Sequence, residues 1–496
     1  MQLLDLITIF IFALGIVIMG LSFSGKGRNM KSFFAAGGAV PWLMSGLSLF
    51  MGFFSAGTFV VWGSIAYSLG WIAISIQWTM AIAGFVVGFF IAPRWHKTSA
   101  LTVAEYITRR LGVNTQKTYT YLFLFISLFT TGSFLYPVAK IVEVSTGMPL
   151  DLCILLLGGF CIVYVAAGGL WAVVSTDVLQ FIILTAAVLI VVPLSFGRVG
   201  GVVNFIESIP ATYFNLVNGE YTIGFIVAFG VYNTIFLGGN WAYVQRYASV
   251  NSQSSARKVG FLFGGLYVVS AVLWMLPPMI YRIVNPSLST IDAEGAYLMM
   301  CKEVLPAGLL GLMLSGMVFA TASSLNATLN ISSGVVTNDI FKRLFPQSSD
   351  KTLMRVARIS TIIFGLLAII VALLIPLMGG IVNVVISVAA LTGVPLYLPI
   401  IWTLFSKRQT EYSVITTTLV SLGANAFFKF ITPLWGFGFN RAEEMIVGVA
   451  FPVLCLIAFE LYYKLNHKIS HRYVEYQEWE KENNCIKRLK GKKIKW

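Results

Sequence analysis

Charge is scarce in this chain. Asp, Glu, Lys and Arg make up 11% of its 496 residues, under half of what a soluble domain carries. Long polar stretches are missing too. The longest runs from about Lys464 to Trp496 and holds few apolar residues, so nothing outside the apolar runs can bury a core of its own. Histidine is nearly absent (His96, His467, His471), and the five cysteines stand apart at 153, 161, 301, 455 and 485. Neither pattern builds a zinc site or a disulfide framework. No His/Asp/Glu grouping falls within the apolar runs, which argues against an intramembrane enzyme. Gly20–Gly27 comes near a phosphate-binding loop, but it lacks the final Ser/Thr and follows an apolar run instead of a strand. With no ATPase domain elsewhere, an ATP-driven pump is excluded.

What is present is apolar. Hydrophobic residues are 57% of the chain and mean hydropathy is +0.83, the values of an all-α polytopic membrane protein. Thirteen helical spans are predicted, near 3–23, 41–67, 69–93, 118–146, 150–168, 171–196, 222–247, 258–284, 304–341, 353–378, 380–405, 412–432 and 443–464. The first lacks a basic leader, so it reads as a retained span and not a cleaved signal.

The formal charge of +14 would fit a nucleic-acid binder, but its placement does not. The cations gather in alternate loops: Lys26, Arg28, Lys31; Arg94, Lys97, Arg109, Arg110, Lys117; Arg246, Arg257, Lys258; Lys342, Arg343, Lys351, Arg355, Arg358; Lys407, Arg408; and the tail. The other loops receive only Arg198, Arg282, Lys302, Lys429 and Arg441. Basic residues are retained on the cytoplasmic side, so the N-terminus is expected outside and the C-terminus inside. The tail lysines and arginines suit anionic lipid headgroups or plain solubility.

Against this background three polar interruptions stand out. Ala320–Asp339 reads Ala-Thr-Ala-Ser-Ser-Leu-Asn-Ala-Thr-Leu-Asn-Ile-Ser-Ser-Gly-Val-Val-Thr-Asn-Asp, a hydroxyl-rich helix face inside the ninth span. Met51-Gly-Phe-Phe-Ser-Ala-Gly-Thr58 puts two glycines and two hydroxyls mid-way through the second span, and Gly238-Gly-Asn-Trp241 interrupts the seventh. Hydroxyls and unwound carbonyls are costly in hydrocarbon unless something occupies them. Paired interruptions in two halves of a membrane protein point to a binding site for a small cation and a solute. Close helix packing at glycine is the alternative at either position alone. Ala320, Ser323 and Ser324 fall at i, i+3, i+4 and share one helix face. Neutral oxygens suit a monovalent ion, since Mg²⁺ or Ca²⁺ would call for carboxylates; serine back-bonding to its own helix is the rival reading. Lys140 and Glu143, at i, i+3, are expected to pair with each other.

Further landmarks are Phe33-Phe-Ala-Ala-Gly-Gly38, Leu101-Thr-Val-Ala-Glu-Tyr106, Gly168-Gly-Leu-Trp-Ala-Val-Val-Ser-Thr-Asp-Val-Leu-Gln180 and Val244-Gln-Arg246. In this order and spacing, from about Lys31 to Arg408, the chain resembles the sodium:solute symporter family. The resemblance implies a LeuT-type fold of two inverted five-helix repeats, spans two to six and seven to eleven. The expected divisions are 1–30, an extra helix and first inner loop; 31–410, the transporter core; 411–464, two C-terminal helices; and 465–496, a basic cytoplasmic tail. It implies sodium (Na⁺) held by the carbonyls of Met51, Phe54 and Ala320 and the hydroxyls of Ser323 and Ser324. A second sodium site, or an inner-exit site, would use Asp177 and Asn326. Ala327 stands where that second site expects a hydroxyl, which counts against it.

The solute is expected among Ser55, Thr58, Gln77, Asn240 and Tyr267, with Tyr243 displaced by one from the family's inner-gate tyrosine. Galactose carriers have a lysine at the Tyr267 position, and the carboxylate-binding arginine of sialic acid carriers has its counterpart near Thr130. The missing lysine counts against a galactose-type sugar and the missing arginine against sialic acid, but uncharged amides, hydroxyls and aromatic faces still suit a neutral or weakly charged sugar or sugar derivative. The alternative is sodium- or proton-coupled uptake of a small carboxylate, amino acid or vitamin. The reading is thus a multi-pass transporter of the cell membrane, not an enzyme. Its partners are a small solute, sodium and the bilayer, with no nucleic acid and no obligate protein partner. A channel would want a repeated filter and a nutrient sensor a soluble output domain; neither is visible.

Overall fold

A computed structural model of the chain describes residues 2–24, 40–100, 102–165 and 170–480. It is about 84% helix with no strand among the described residues. The helices that build it are α1 (Leu3–Ser24), α2 (Trp42–Met51), α3 (Gly63–Leu69), α4 (Trp71–Lys97), α5 (Val103–Leu111), α6 (Val113–Thr146), α7 (Leu150–Val165), α8 (Leu170–Arg198), α9 (Ile223–Gly239) and α10 (Trp241–Ala248). They continue with α11 (Gln253–Val284), α12 (Ala296–Val304), α13 (Leu309–Val335), α14 (Asp350–Leu374), α15 (Ile381–Thr403), α16 (Glu411–Trp435) and α17 (Arg441–Leu465). Among the described residues eight helices are long and apolar enough to cross a bilayer, or nine if α9 and α10 form one bent span. Their outward faces carry a belt of Leu, Ile and Phe such as Phe89, Phe90, Phe125, Ile182 and Ile223, which suits contact with lipid.

Apolar attraction between helices is weak in lipid, so close approach must come from small residues. The α4–α11 pair shows this. A Cβ on Gly84 would lie 2.8 Å from the Gly264 Cα, and one on Gly260 would lie 2.5 Å from the Gly88 Cα. The two glycine pairs therefore let these helices pack backbone to backbone.

The N-terminal helix does more than anchor. The buried Asp5 carboxylate accepts from the amides of Gly308 (2.8 Å) and Gly311 (3.1 Å), capping the start of α13 with a charge that complements the helix dipole. The expected Lys140–Glu143 pair is present at 2.9 Å. The start of the tail meets the core, while its lysine-rich end at 481–496 lies outside the described residues. Residues 471–480 are helical and pack on α5, with Tyr476 against Tyr106 (5.9 Å between rings) and the Arg109 guanidinium over Trp479 (3.9 Å). Arg110, over the Tyr473 ring (5.1 Å) and donating to the Ser406 and Gln409 carbonyls, is 1% exposed. Burial also pushes the Tyr106 phenol up to about 12, against the lowering effect of Arg110. The aromatics at 473, 476 and 479 recur at helical spacing among the glutamates Glu475, Glu478 and Glu480. The 33–38 motif, Leu101, Gly168–Gly169 and the last sixteen residues lie outside the described residues.

Candidate functional site

Both interruptions are real, and each is stitched by local hydrogen bonds. α2 stops where Gly52 turns its amide back to Ser48 (3.3 Å) and Leu49 (3.2 Å). The Phe53 and Phe54 amides both reach the Phe50 carbonyl, at 2.9 and 3.0 Å, and the Thr58 amide takes Ser55 (3.0 Å). Backbone bonds so crowded onto Phe50 and Ser55 leave the Met51 and Phe54 carbonyls without an α-helical amide partner. The Thr58 hydroxyl donates to the Phe53 carbonyl, and the Ala56 amide donates to Thr321 Oγ1 of α13 at 3.0 Å. That last bond fastens the break to the hydroxyl-rich helix. A helix resumes through a π-turn at Thr58–Trp62, a form common at functional sites.

The second interruption is a 59° bend between α9 and α10. Asn240 makes it: its Oδ1 accepts from the Ala242 amide (3.0 Å) as an N-cap, and its Nδ2 donates to the Tyr397 hydroxyl (3.4 Å). The carbonyls released at the end of α9 find side chains, Gly238 taking Trp95 Nε1 (2.7 Å) and Leu237 the Tyr247 hydroxyl (3.3 Å).

Two cavities meet at these interruptions. The first has about 840 Å³ of free space and is lined by Ser48, Met51, Asp177, Asn240, Arg246, Ala320, Ser324 and Thr328 among others. Its charges are networked. Ser48 donates to Asp177 Oδ2 at 2.6 Å, while Arg246 donates from Nε to Ser48 (3.4 Å) and from Nη1 to the Ala242 carbonyl (3.1 Å). The Ser324 hydroxyl lies 3.5 Å from the Ala320 carbonyl, at the outer limit of a hydrogen bond. Back-bonding therefore holds it only weakly.

The second cavity, a chamber, is lined by Ser55, Thr58, Gln77, Asn233, Tyr243, Tyr267 and Thr392, with rings of Phe53, Trp62, Tyr232, Phe236 and Tyr397. No Asp, Glu, Lys, Arg or His lines it among the described residues. Gln77 is 3% exposed, and its Nε2 has no hydrogen-bond partner among the described residues. Asn233 Nδ2 donates to Thr79 (2.8 Å), which leaves its carbonyl end as the available acceptor. Gly52, Thr130, Phe134, Phe236, Tyr243 and Tyr397 wall both cavities. Tyr243 packs over the break: a Cβ on Gly52 would lie 3.4 Å from its Cε1.

The structure thus brings Met51, Ala320, Ser324 and Asp177 to one cavity, and Ser55, Thr58, Gln77 and Tyr267 to the other; Tyr243 stands between them. Asn240 faces the charged cavity, not the chamber, and both ends of its amide are engaged. The Phe54 side chain lines neither cavity and instead packs on Trp274, 4.8 Å between ring centres. The side chains of Ser323 and Asn326 lie outside the described residues. Sequence reasoning missed Asn233, although a lone amide in the apolar run Ile223–Gly239 was a visible signal. It also missed Ser48, Tyr397 and the partnership of Arg246, which no local pattern reveals.

The family profile of the sodium:solute symporters matches residues 33–420. The chain is 29% identical over 472 residues to the sodium/glucose cotransporter of Vibrio parahaemolyticus, covering 86% of each. It is 27% identical over 469 residues to sodium/myo-inositol cotransporter 2 of Sus scrofa, covering 84% of this chain and 68% of that one. Among solved structures, a substrate-bound, outward-open Na⁺-coupled sialic acid symporter superposes with a TM-score of 0.77 at 21% identity, over 93% of this chain and 98% of that one. A nucleobase-cation-symport-1 family transporter gives 0.57 at 14% identity, over 91% and 99%. A bent-helix core with two adjoining polar cavities is the build of a secondary transporter. The chain belongs to the sodium:solute symporter family: it is an integral, multi-pass membrane protein that couples solute transport to sodium, and not an enzyme.

Proposed function

We propose that this chain carries a neutral sugar or sugar-like polyol into the cell together with sodium. One observation carries the reading: the chamber offers amides, hydroxyls and aromatic faces, and no charged side chain among the described residues. Such a lining pairs the hydroxyls of a ring and stacks on its apolar face, but leaves a carboxylate or ammonium without a counter-ion. The names of the relatives, glucose and myo-inositol cotransporters, agree with that chemistry. A sialic acid would need a cation that Thr130 does not supply.

Sodium, the co-substrate, is assigned to the junction of the α2 break and α13. Ala320 and Ser324 line the charged cavity beside Met51, and the Met51 and Phe54 carbonyls are freed by the break. Ser323 completes the set proposed from the sequence. Asp177 is reached by Ser48 and sits in the same cavity, so it serves the exit route or an inner gate. In the topology set by the basic loops, this cavity faces the cytoplasm. Sodium arriving from outside draws the break against α13 and shapes the chamber. Solute then closes the outer side, and the two inverted repeats of 31–410 rock to release both inward. A charge crossing 100 mV contributes about 2.3 kcal/mol, and a tenfold sodium gradient adds about 1.4 kcal/mol. At one-to-one coupling that sum sustains a solute gradient on the order of several hundredfold.

The test is uptake into proteoliposomes, with radiolabelled D-glucose, D-galactose and myo-inositol each offered in sodium and in potassium buffer. Sodium-dependent accumulation of at least one neutral solute is expected. Equal accumulation in potassium, or sodium-dependent accumulation of none of the three, would reject the reading.

A further inference from the structure

α15 is not α-helical throughout. At Ala389–Gly393 it widens into a π-turn, where one extra residue loosens the regular ladder and exposes carbonyls to outside donors. Two of those carbonyls, on Ala390 and Leu391, accept from a single group, Nδ2 of the buried Asn425 on α16, at 3.1 and 3.2 Å. On the same flank α17 closes in at Gly448, where a Cβ would fall 2.3 Å from the Ala390 carbonyl oxygen. The opposite flank is the chamber. Ala389, Thr392 and Gly393 form part of its wall, and a Cβ on Gly393 would fall 2.1 Å from the ring of Tyr232, another wall residue. The π-turn is therefore held between two outer contacts and one inner one.

Neither Asn425 nor Gly448 lines the chamber, and both lie beyond residue 420, where the family match ends. We propose that Asn425 and Gly448 are positioning residues: from the C-terminal helix pair they fix the α15 π-turn as a chamber wall and so set which solutes fit. The contacts act in opposite senses. Asn425 draws the turn outward through two carbonyls, while the absent side chain at Gly448 leaves the space that the turn occupies. Losing the amide lets the wall relax; adding a methyl at Gly448 drives it toward Tyr232. The proposal rests on reading the chamber as the solute site.

Three measurements on the full chain in liposomes test it. The first needs no solute: the rate at which a methanethiosulfonate reagent modifies Thr392→Cys, with the chain lacking that change as background. Positional errors of an ångström carry large rate consequences, so Gly448→Ala and Asn425→Leu are each expected to alter that rate by about fivefold or more. The second is the ratio of half-saturation constants for D-glucose and myo-inositol. It should shift in both variants and return toward the parent value in Asn425→Gln, which keeps the donor. The third is sodium half-saturation, which should stay within about twofold, because the α2–α13 junction is a separate contact region. Unchanged modification rates and an unchanged solute ratio in Gly448→Ala would overturn the proposal even if Asn425→Leu fails to fold. Gln77→Ala separates the two ideas. If it spares solute half-saturation while the Thr392→Cys rate still responds, the chamber reading fails and the wall positioning stands. If it impairs solute while Asn425 and Gly448 variants change nothing, the positioning fails alone.

Discussion

The two cavities share the Gly52 break and the rings of Tyr243 and Tyr397, yet their chemistry is opposite. One holds Asp177 and Arg246, joined through the Ser48 hydroxyl; the other holds amides, hydroxyls and rings and no charged residue among those described. Buried charges persist only where each finds a partner, and the first cavity supplies them from three helices. The chamber avoids that cost. Its polar groups keep hydrogen-bonding capacity for a solute, as Gln77 does. A single unwound turn thus separates a charged cavity from an uncharged one.

The sharpest way to break this comparison is Asp177→Ala. It removes the carboxylate that Arg246 reaches through Ser48 and leaves the buried guanidinium without a compensating charge, at a cost on the order of a few kcal/mol. Loss of nearly all sodium-driven uptake and a lowered unfolding temperature are expected; ordinary uptake would show the charges to be incidental. Next is Ser324→Ala, which should raise the sodium concentration for half-maximal uptake about tenfold, the equivalent of one lost ligand. Solute half-saturation at saturating sodium should barely move, and a matching shift in both constants would merge the two regions. Gln77→Ala should do the reverse, weakening solute by about five- to tenfold, the value of a lost hydrogen bond, with sodium half-saturation unchanged. The smallest effect is expected at Ser333→Ala, further along α13. A change in sodium half-saturation there as large as at Ser324 would refute the ion assignment.

Much of the scaffold was legible because hydrophobic runs and helix breakers are local signals. The Gly52 break and the bend at Asn240 were both read from glycine and hydroxyl placement, as was the Lys140–Glu143 pair from its one-turn spacing. The site was only half legible. Asn240 reads as a solute ligand in the sequence; the fold puts it on the wall of the charged cavity, where its amide caps α10 and meets Tyr397. Asn233, two turns earlier in α9, lines the chamber instead. The composition of the tail gave no sign that its first part, 471–480, lies on α5 through the aromatics at 473, 476 and 479.

From the sequence alone came the membrane class, the two interruptions and the family, since each depends on residues near one another in the chain or on their order. Only tertiary structure decided that Ser48 joins Asp177 to Arg246 across 129 and 198 residues, that Asp5 caps α13, and that α16 braces the wall of the chamber. Those contacts depend on which helix faces meet. Helix packing in lipid is set by the fit of small and polar residues on both partners together, so neither partner's own sequence pattern contains it.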